Sequence, residues 1–130
     1  TEFQVRLDLP DQMPLTNVEL CTVLGNLLDN AVEACSRQAK GTRRILAVGE
    51  IRGNMYFLKI ENTYDGLILP EEKTFRSRKG TSADHGIGLS SVRRILENHG
   101  GDLDLVPGEE TFLVGITIEC PFISKSQCVI

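Results

Sequence analysis

The chain has 130 residues, 41% of them apolar, enough for one domain whose core needs no disulfide or metal staple. A formal charge of −4 and a pI near 5.2 argue against the broad basic footprint of a nucleic-acid binder, so no nucleic-acid partner is expected. No apolar run is long enough to span a bilayer, no signal peptide opens the chain, and none of the four cysteines has C-x-x-C spacing, so a cytoplasmic segment without direct membrane contact is expected.

In chain order, Phe3 to Leu9 alternates apolar and polar residues, predicting a half-buried strand closed off by Pro10 and Pro14. Thr16-Asn17-Val18-Glu19 is a capping box that predicts a helix running to about Gly41, with Leu20, Leu24, Leu27, Ala31 and Cys35 as its apolar stripe. Glu19, Asn26, Asn30 and Glu33 gather roughly 130° from the centre of that stripe at helical rotation. Ile45–Ile51 and Met55–Asn62 predict a hairpin around Arg52-Gly53-Asn54. From Thr63 to His85 periodicity is lost over roughly twenty residues, a length that marks a functional lid or a disordered insert.

Gly86-Ile87-Gly88-Leu89 then opens a second helix, with Leu89, Val92, Ile95 and Leu96 apolar, which stops at Gly100-Gly101. Leu103–Val106 and Thr111–Glu119 close the chain as a hairpin through Pro107-Gly108. The order β-α-β-β-lid-α-β-β predicts an α+β fold, a mixed and mostly antiparallel sheet with helices on one face.

Asn26 and Asn30 are the candidate chemistry. Asparagine is a poor helix-interior residue, so two at i, i+4 spacing on one face call for a reason, whether a solvated polar face or a pair of neutral oxygen ligands. Such ligands suit a Mg²⁺ ion that also holds substrate phosphates and water, with Asp29 and Glu33 close enough to bond those waters. Gly86-x-Gly88 at a helix start is either an anion cradle or a flexible loop end. Arg76-Ser77-Arg78-Lys79 is either a phosphate grip or a solvated basic loop. Asn62, ending a strand, offers both donor and acceptor to an adenine edge or simply makes a turn. His85 borders the glycine loop and a phosphate contact is open to it. His99 lies at a helix C-terminus, where a cation suits the dipole.

Taken together, Glu19 through Ala34 with its two asparagines, the strand-end Asn62, the lid with Ser77-x-Lys79 and the His85-Gly86-Ile87-Gly88-Leu89 loop resemble the GHKL ATP-binding fold. More narrowly, they are similar to the catalytic, ATP-binding domain of bacterial sensor histidine kinases in the peptide-sensing quorum branch. The resemblance implies a two-layer α/β sandwich of the Bergerat type over residues 1–130, one domain of a longer chain, with an ATP lid at about 63–86. It implies ATP and Mg²⁺ as cofactors, Asn30 ligating the metal with Asn26 helping, and Glu33 beside them. Gly86, Ile87, Gly88 and Leu89 would close over the phosphates, and Ser77, Lys79 and His85 would be lid contacts. Asn62 stands where the family usually has an adenine-binding aspartate, and the glycines that normally follow are absent.

Asn26 also occupies the place of the glutamate base of ATP-hydrolysing and serine-kinase members. An amide takes no proton from water or serine, so the implied reaction is transfer of the γ-phosphate to an already nucleophilic histidine, with Asn26, Asn30 and Lys79 as its catalytic set. The implied partners are a phosphoacceptor helical domain of the same parent, as a homodimer, and a downstream response regulator. A nucleotide-binding docking module without transferase activity, and a GHKL ATPase or serine kinase, are the competing readings.

Overall fold

A computed structural model describes residues 1–68 and 87–120. Its elements are β1 (Glu2–Leu7), α1 (Asn17–Arg37), β2 (Arg44–Arg52), β3 (Met55–Thr63), α2 (Ile87–Asn98), β4 (Asp102–Pro107) and β5 (Thr111–Glu119). The strands form one sheet in the order β1-β2-β3-β5-β4, with β1 parallel to β2 and every other pair antiparallel.

The helices lie on one face of that sheet, as expected. Alternate strand residues turn inward: Ile45 and Ala47 from β2, Tyr56, Leu58 and Ile60 from β3, Leu103 and Leu105 from β4, and Phe112, Val114, Ile116 and Ile118 from β5. They bury against Val23, Leu27, Ala31, Ala34 and Cys35 of α1 and Leu89, Val92 and Leu96 of α2. The buried stripe of α1 is therefore rotated slightly from the one expected, since Leu20 and Leu24 are only partly covered while Val23 and Ala34 are buried.

Local chemistry sets the boundaries. Gly53 takes φ 61° at the first position of the two-residue β2–β3 turn, a conformation glycine adopts without a Cβ penalty. Gly100, at φ 71°, ends the chain segment leaving α2 in the same way.

Two expectations need correction. The first helix stops at Arg37 rather than near Gly41 because the Gln38 side chain builds a turn, its Nε2 donating to the carbonyls of Lys40 (2.8 Å) and Thr42 (3.1 Å). The opening strand is an edge strand rather than a half-buried one. It ends at Leu7, and α1 packs over β2 and β3, leaving Phe3 and Val5 about half exposed.

Candidate functional site

The site begins at the start of α1. Thr16 caps the helix, its Oγ1 accepting from the Glu19 N–H at 3.1 Å while Glu19 Oε1 accepts from the Thr16 N–H at 2.9 Å, the reciprocal pair that the sequence signals. Further along, side chains bond back to carbonyls four residues earlier: Thr22 Oγ1 to Val18 (2.8 Å) and Asn26 Nδ2 to Thr22 (2.8 Å). Asn26 thus satisfies its donor on its own helix, and the direction of its oxygen follows.

That oxygen faces the first turn of α2. A Cβ placed on Gly88 would stand 3.0 Å from Asn26 Oδ1, 3.5 Å from Cγ and 3.6 Å from Cβ. Asn30, one turn later and half-buried, makes no hydrogen bond among the described residues. Asp29 and Glu33 are exposed beside it.

The far end of α2 is fastened too. His99 Nε2 lies 3.1 Å from Glu19 Oε1, so the two helices run antiparallel and touch at Asn26–Gly88 and at Glu19–His99. The Thr16 N–H, together with His99 and against some opposing desolvation, holds the Glu19 carboxyl below its usual range. Glu19 shares the α2-facing side of α1 with Asn26, and its carboxylate is engaged by the helix cap and by His99.

Asn62 sits at the end of β3 on the helix-facing side and is 5% exposed. Its Nδ2 donates to the Thr63 carbonyl at 3.0 Å. Cys35 Sγ also reaches that carbonyl at 3.5 Å, tying the last turns of α1 to the end of β3. Immediately after, the Tyr64 hydroxyl donates to the Gly108 carbonyl and its ring meets Phe112 edge-on at 5.5 Å, which anchors the chain where it leaves the sheet.

The structure thus places Asn26, Asn30 and Glu33 on α1 and Gly88 against Asn26. Leu89 is buried in the core, where its side chain packs. Ile87 is the first residue of α2, and Ser77, Lys79, His85 and Gly86 lie outside the described residues. Arg93 is only 8% exposed although it is charged. Its spacing from Leu89 and Leu96 on the inward side of α2 is the sequence signal for that burial.

Among the described residues no three His, Cys, Asp or Glu side chains gather as a metal cage. A donor set of neutral carboxamides fits Mg²⁺, which keeps waters and substrate oxygens in its shell and needs only one or two protein ligands. The glycine at 88 fits close backbone approach, because its missing Cβ is what keeps that side of Asn26 uncrowded.

The GHKL domain family matches residues 15–119, four-fifths of the chain. The chain belongs to the GHKL family. Sensor protein kinase CarS of Pseudomonas aeruginosa is 35% identical over 117 residues, covering 85% of this domain and 24% of CarS. Sensor histidine kinase CitA of Klebsiella pneumoniae is 32% identical over 102 residues, covering 72% of this domain and 18% of CitA. This GHKL domain thus spans about a quarter or less of the length of these curated relatives and is homologous to part of each. The catalytic domain of histidine kinase ThkA shares the fold at 22% identity and a TM-score of 0.69, covering 93% of this chain and 80% of that one. Among the described residues no helix is long and apolar enough to cross a membrane.

Proposed function

We propose that this GHKL domain binds Mg-ATP and passes the γ-phosphate to a histidine on a separate helical domain of its parent sensor kinase, which then signals to a response regulator. The observation that carries the proposal is the Asn30 carboxamide, without a hydrogen-bond partner among the described residues and one turn from the Asn26–Gly88 contact, within a family whose relatives here are named sensor kinases. When bound, Mg-ATP would supply the phosphoryl group together with the metal's charge neutralisation.

The chain's own residues bind and position. Asn30 offers its amide oxygen to the metal. Asn62 presents its amide to the adenine edge in place of the family's aspartate. The backbone from Gly86 to Leu89, at the opening of α2, presents N–H groups to the phosphates, and the lid cations with Lys79 among them complete the grip with Ser77 and His85. With an amide at Asn26 there is no carboxylate there to activate water, so the acceptor supplies its own nucleophile and stray hydrolysis is slow. The acceptor histidine belongs to the helical domain, reached in a homodimer on the cytoplasmic side. The names of CarS and CitA describe a sensor kinase and a sensor histidine kinase, so the peptide-sensing quorum branch stands as a finer proposal about the parent's signal.

The test is to mix this domain with the helical hairpin of its parent and ATP labelled at the γ-position. Acid-labile, base-stable label on the hairpin is the expected result. Tight nucleotide binding with no label on the hairpin would replace the kinase with a nucleotide-sensing module.

A further inference from the structure

Asn26 and Asn30 look equivalent in sequence, but their surroundings differ. The Asn26 amide is used at both ends: Nδ2 is bonded to the Thr22 carbonyl at 2.8 Å, and Oδ1, Cγ and Cβ all lie within ordinary or tight contact range of the position a Gly88 Cβ would take. A side chain held by its own helix and packed on a neighbouring helix is a spacer, fixing how close the first turn of α2 comes to α1. Asn30 has no hydrogen-bond partner among the described residues.

The opposite end of α2 is pinned by Glu19 and His99. From Gly88 to His99 is eleven residues, about 16 Å of helix, so α2 is a short rod fastened near both ends.

We infer that Asn26 is a positioning residue rather than a second metal ligand: it acts as a stop against Gly88 that sets the start of α2, and with it the phosphate-facing backbone, at the right height over Asn30. The inference rests on the proposed Mg-ATP site, but the stop itself is a property of the nucleotide-free protein. Gly88 must then lack a side chain for a specific reason. An alanine there would meet Oδ1 at 3.0 Å, tighter than nine in ten real Cβ contacts, so the Asn26 amide, bonded to Thr22, would have to give by a few tenths of an ångström.

The experiment is a double-mutant cycle with Asn26→Ala and Gly88→Ala, alongside Asn30→Ala, read in two ways. In the nucleotide-free protein, amide chemical shifts of residues 87–91 and the thermal midpoint should change in each single variant. The double variant should move back toward wild type, because removing the amide makes room for the methyl. In Mg-ATP binding, each single variant should lose about tenfold in affinity. Asn26→Ala should cost less than twofold in the Gly88→Ala background, and it should leave the Mg²⁺ concentration at half-binding unchanged, whereas Asn30→Ala raises it steeply.

Additive effects in the nucleotide-free protein overturn the inference. So does a Mg²⁺ shift in Asn26→Ala equal to that of Asn30→Ala, which would make Asn26 a ligand. If wild type binds no Mg-ATP, the proposed function falls while the stop is still decided by the nucleotide-free cycle.

Discussion

Tyr56 is the side chain whose replacement most directly tests how the core is built. Its ring is buried at the centre of the sheet, and its hydroxyl has no hydrogen-bond partner among the described residues. Gly49, on the neighbouring strand, makes room for it: a Cβ at that position would fall 2.1 Å from the hydroxyl oxygen and 2.9 Å from Cζ. Burial first, and then the charges of Asp8 and Cys120, push its pKa from 10.0 up to about 12. Tyr56→Phe removes a hydroxyl whose buried, unmatched state costs about 1–3 kcal/mol, so the variant should be more stable at pH 7 by about 1 kcal/mol once lost contacts are subtracted.

The alkaline limb should separate the two proteins further. A raised folded-state pKa means the contribution is intact below the unfolded value near 10 and is lost as pH climbs through 12. Two units correspond to at most about 2.7 kcal/mol that wild type loses and the phenylalanine variant keeps. Urea unfolding at pH 7, 9.5 and 11 reads both effects. A Tyr56→Phe protein that is less stable than wild type at pH 7, or that follows it through the alkaline range, would refute the reasoning. Gly49→Ala should lose about 1–3 kcal/mol by overpacking and regain part of it in the Tyr56→Phe background, where the ring carbon and Leu7 Cδ2, 3.2 Å from the added Cβ, remain in the way.

Thr16→Ala should lose about 1 kcal/mol of stability by thermal or urea unfolding, because the Glu19 N–H loses its side-chain acceptor while the bond from the Thr16 N–H to Glu19 remains. Glu19→Gln keeps an acceptor for the Thr16 N–H but no charge for His99. Because the folded-state pKa of Glu19 is lowered, its contribution is present above the ordinary carboxylate range and lost as pH falls through the lowered value, so the difference between wild type and Glu19→Gln should vanish at acid pH. A difference unchanged down to pH 3 would contradict that. Asn62→Ala should weaken binding of ATP and ADP alike by about tenfold, as loss of a base-reading amide costs one to two hydrogen bonds, and should leave binding of inorganic triphosphate unchanged by calorimetry.

The parts legible in the sequence are those written in short-range chemistry. Thr16 with Glu19 announces the helix, Gly53-Asn54 the first hairpin, Gly100-Gly101 the end of α2, and period-two alternation the last strand, because each signal is satisfied by neighbours a few residues away. What escaped is long-range or depends on a particular rotamer. The parallel pairing of β1 with β2 joins residues about forty apart and leaves no local trace, so an edge strand looked half-buried. Gln38 ends α1 by a side-chain turn that its helix-compatible composition hides.

At the site, the asparagine face was visible from spacing alone. The division of labour within it was not, since it depends on Thr22 capturing one amide and on Gly88, sixty-two residues later, arriving against it. The Glu19–His99 contact likewise spans eighty residues and leaves no local trace.

The most direct measurement of the central claim is calorimetric titration of this domain with ATP, with and without Mg²⁺, in wild type and Asn30→Ala. Saturable, Mg²⁺-dependent binding that Asn30→Ala weakens by at least about a hundredfold is the expected outcome, the scale of losing a group the metal site depends on. Equal affinity in the two proteins, or binding indifferent to Mg²⁺, would contradict the account.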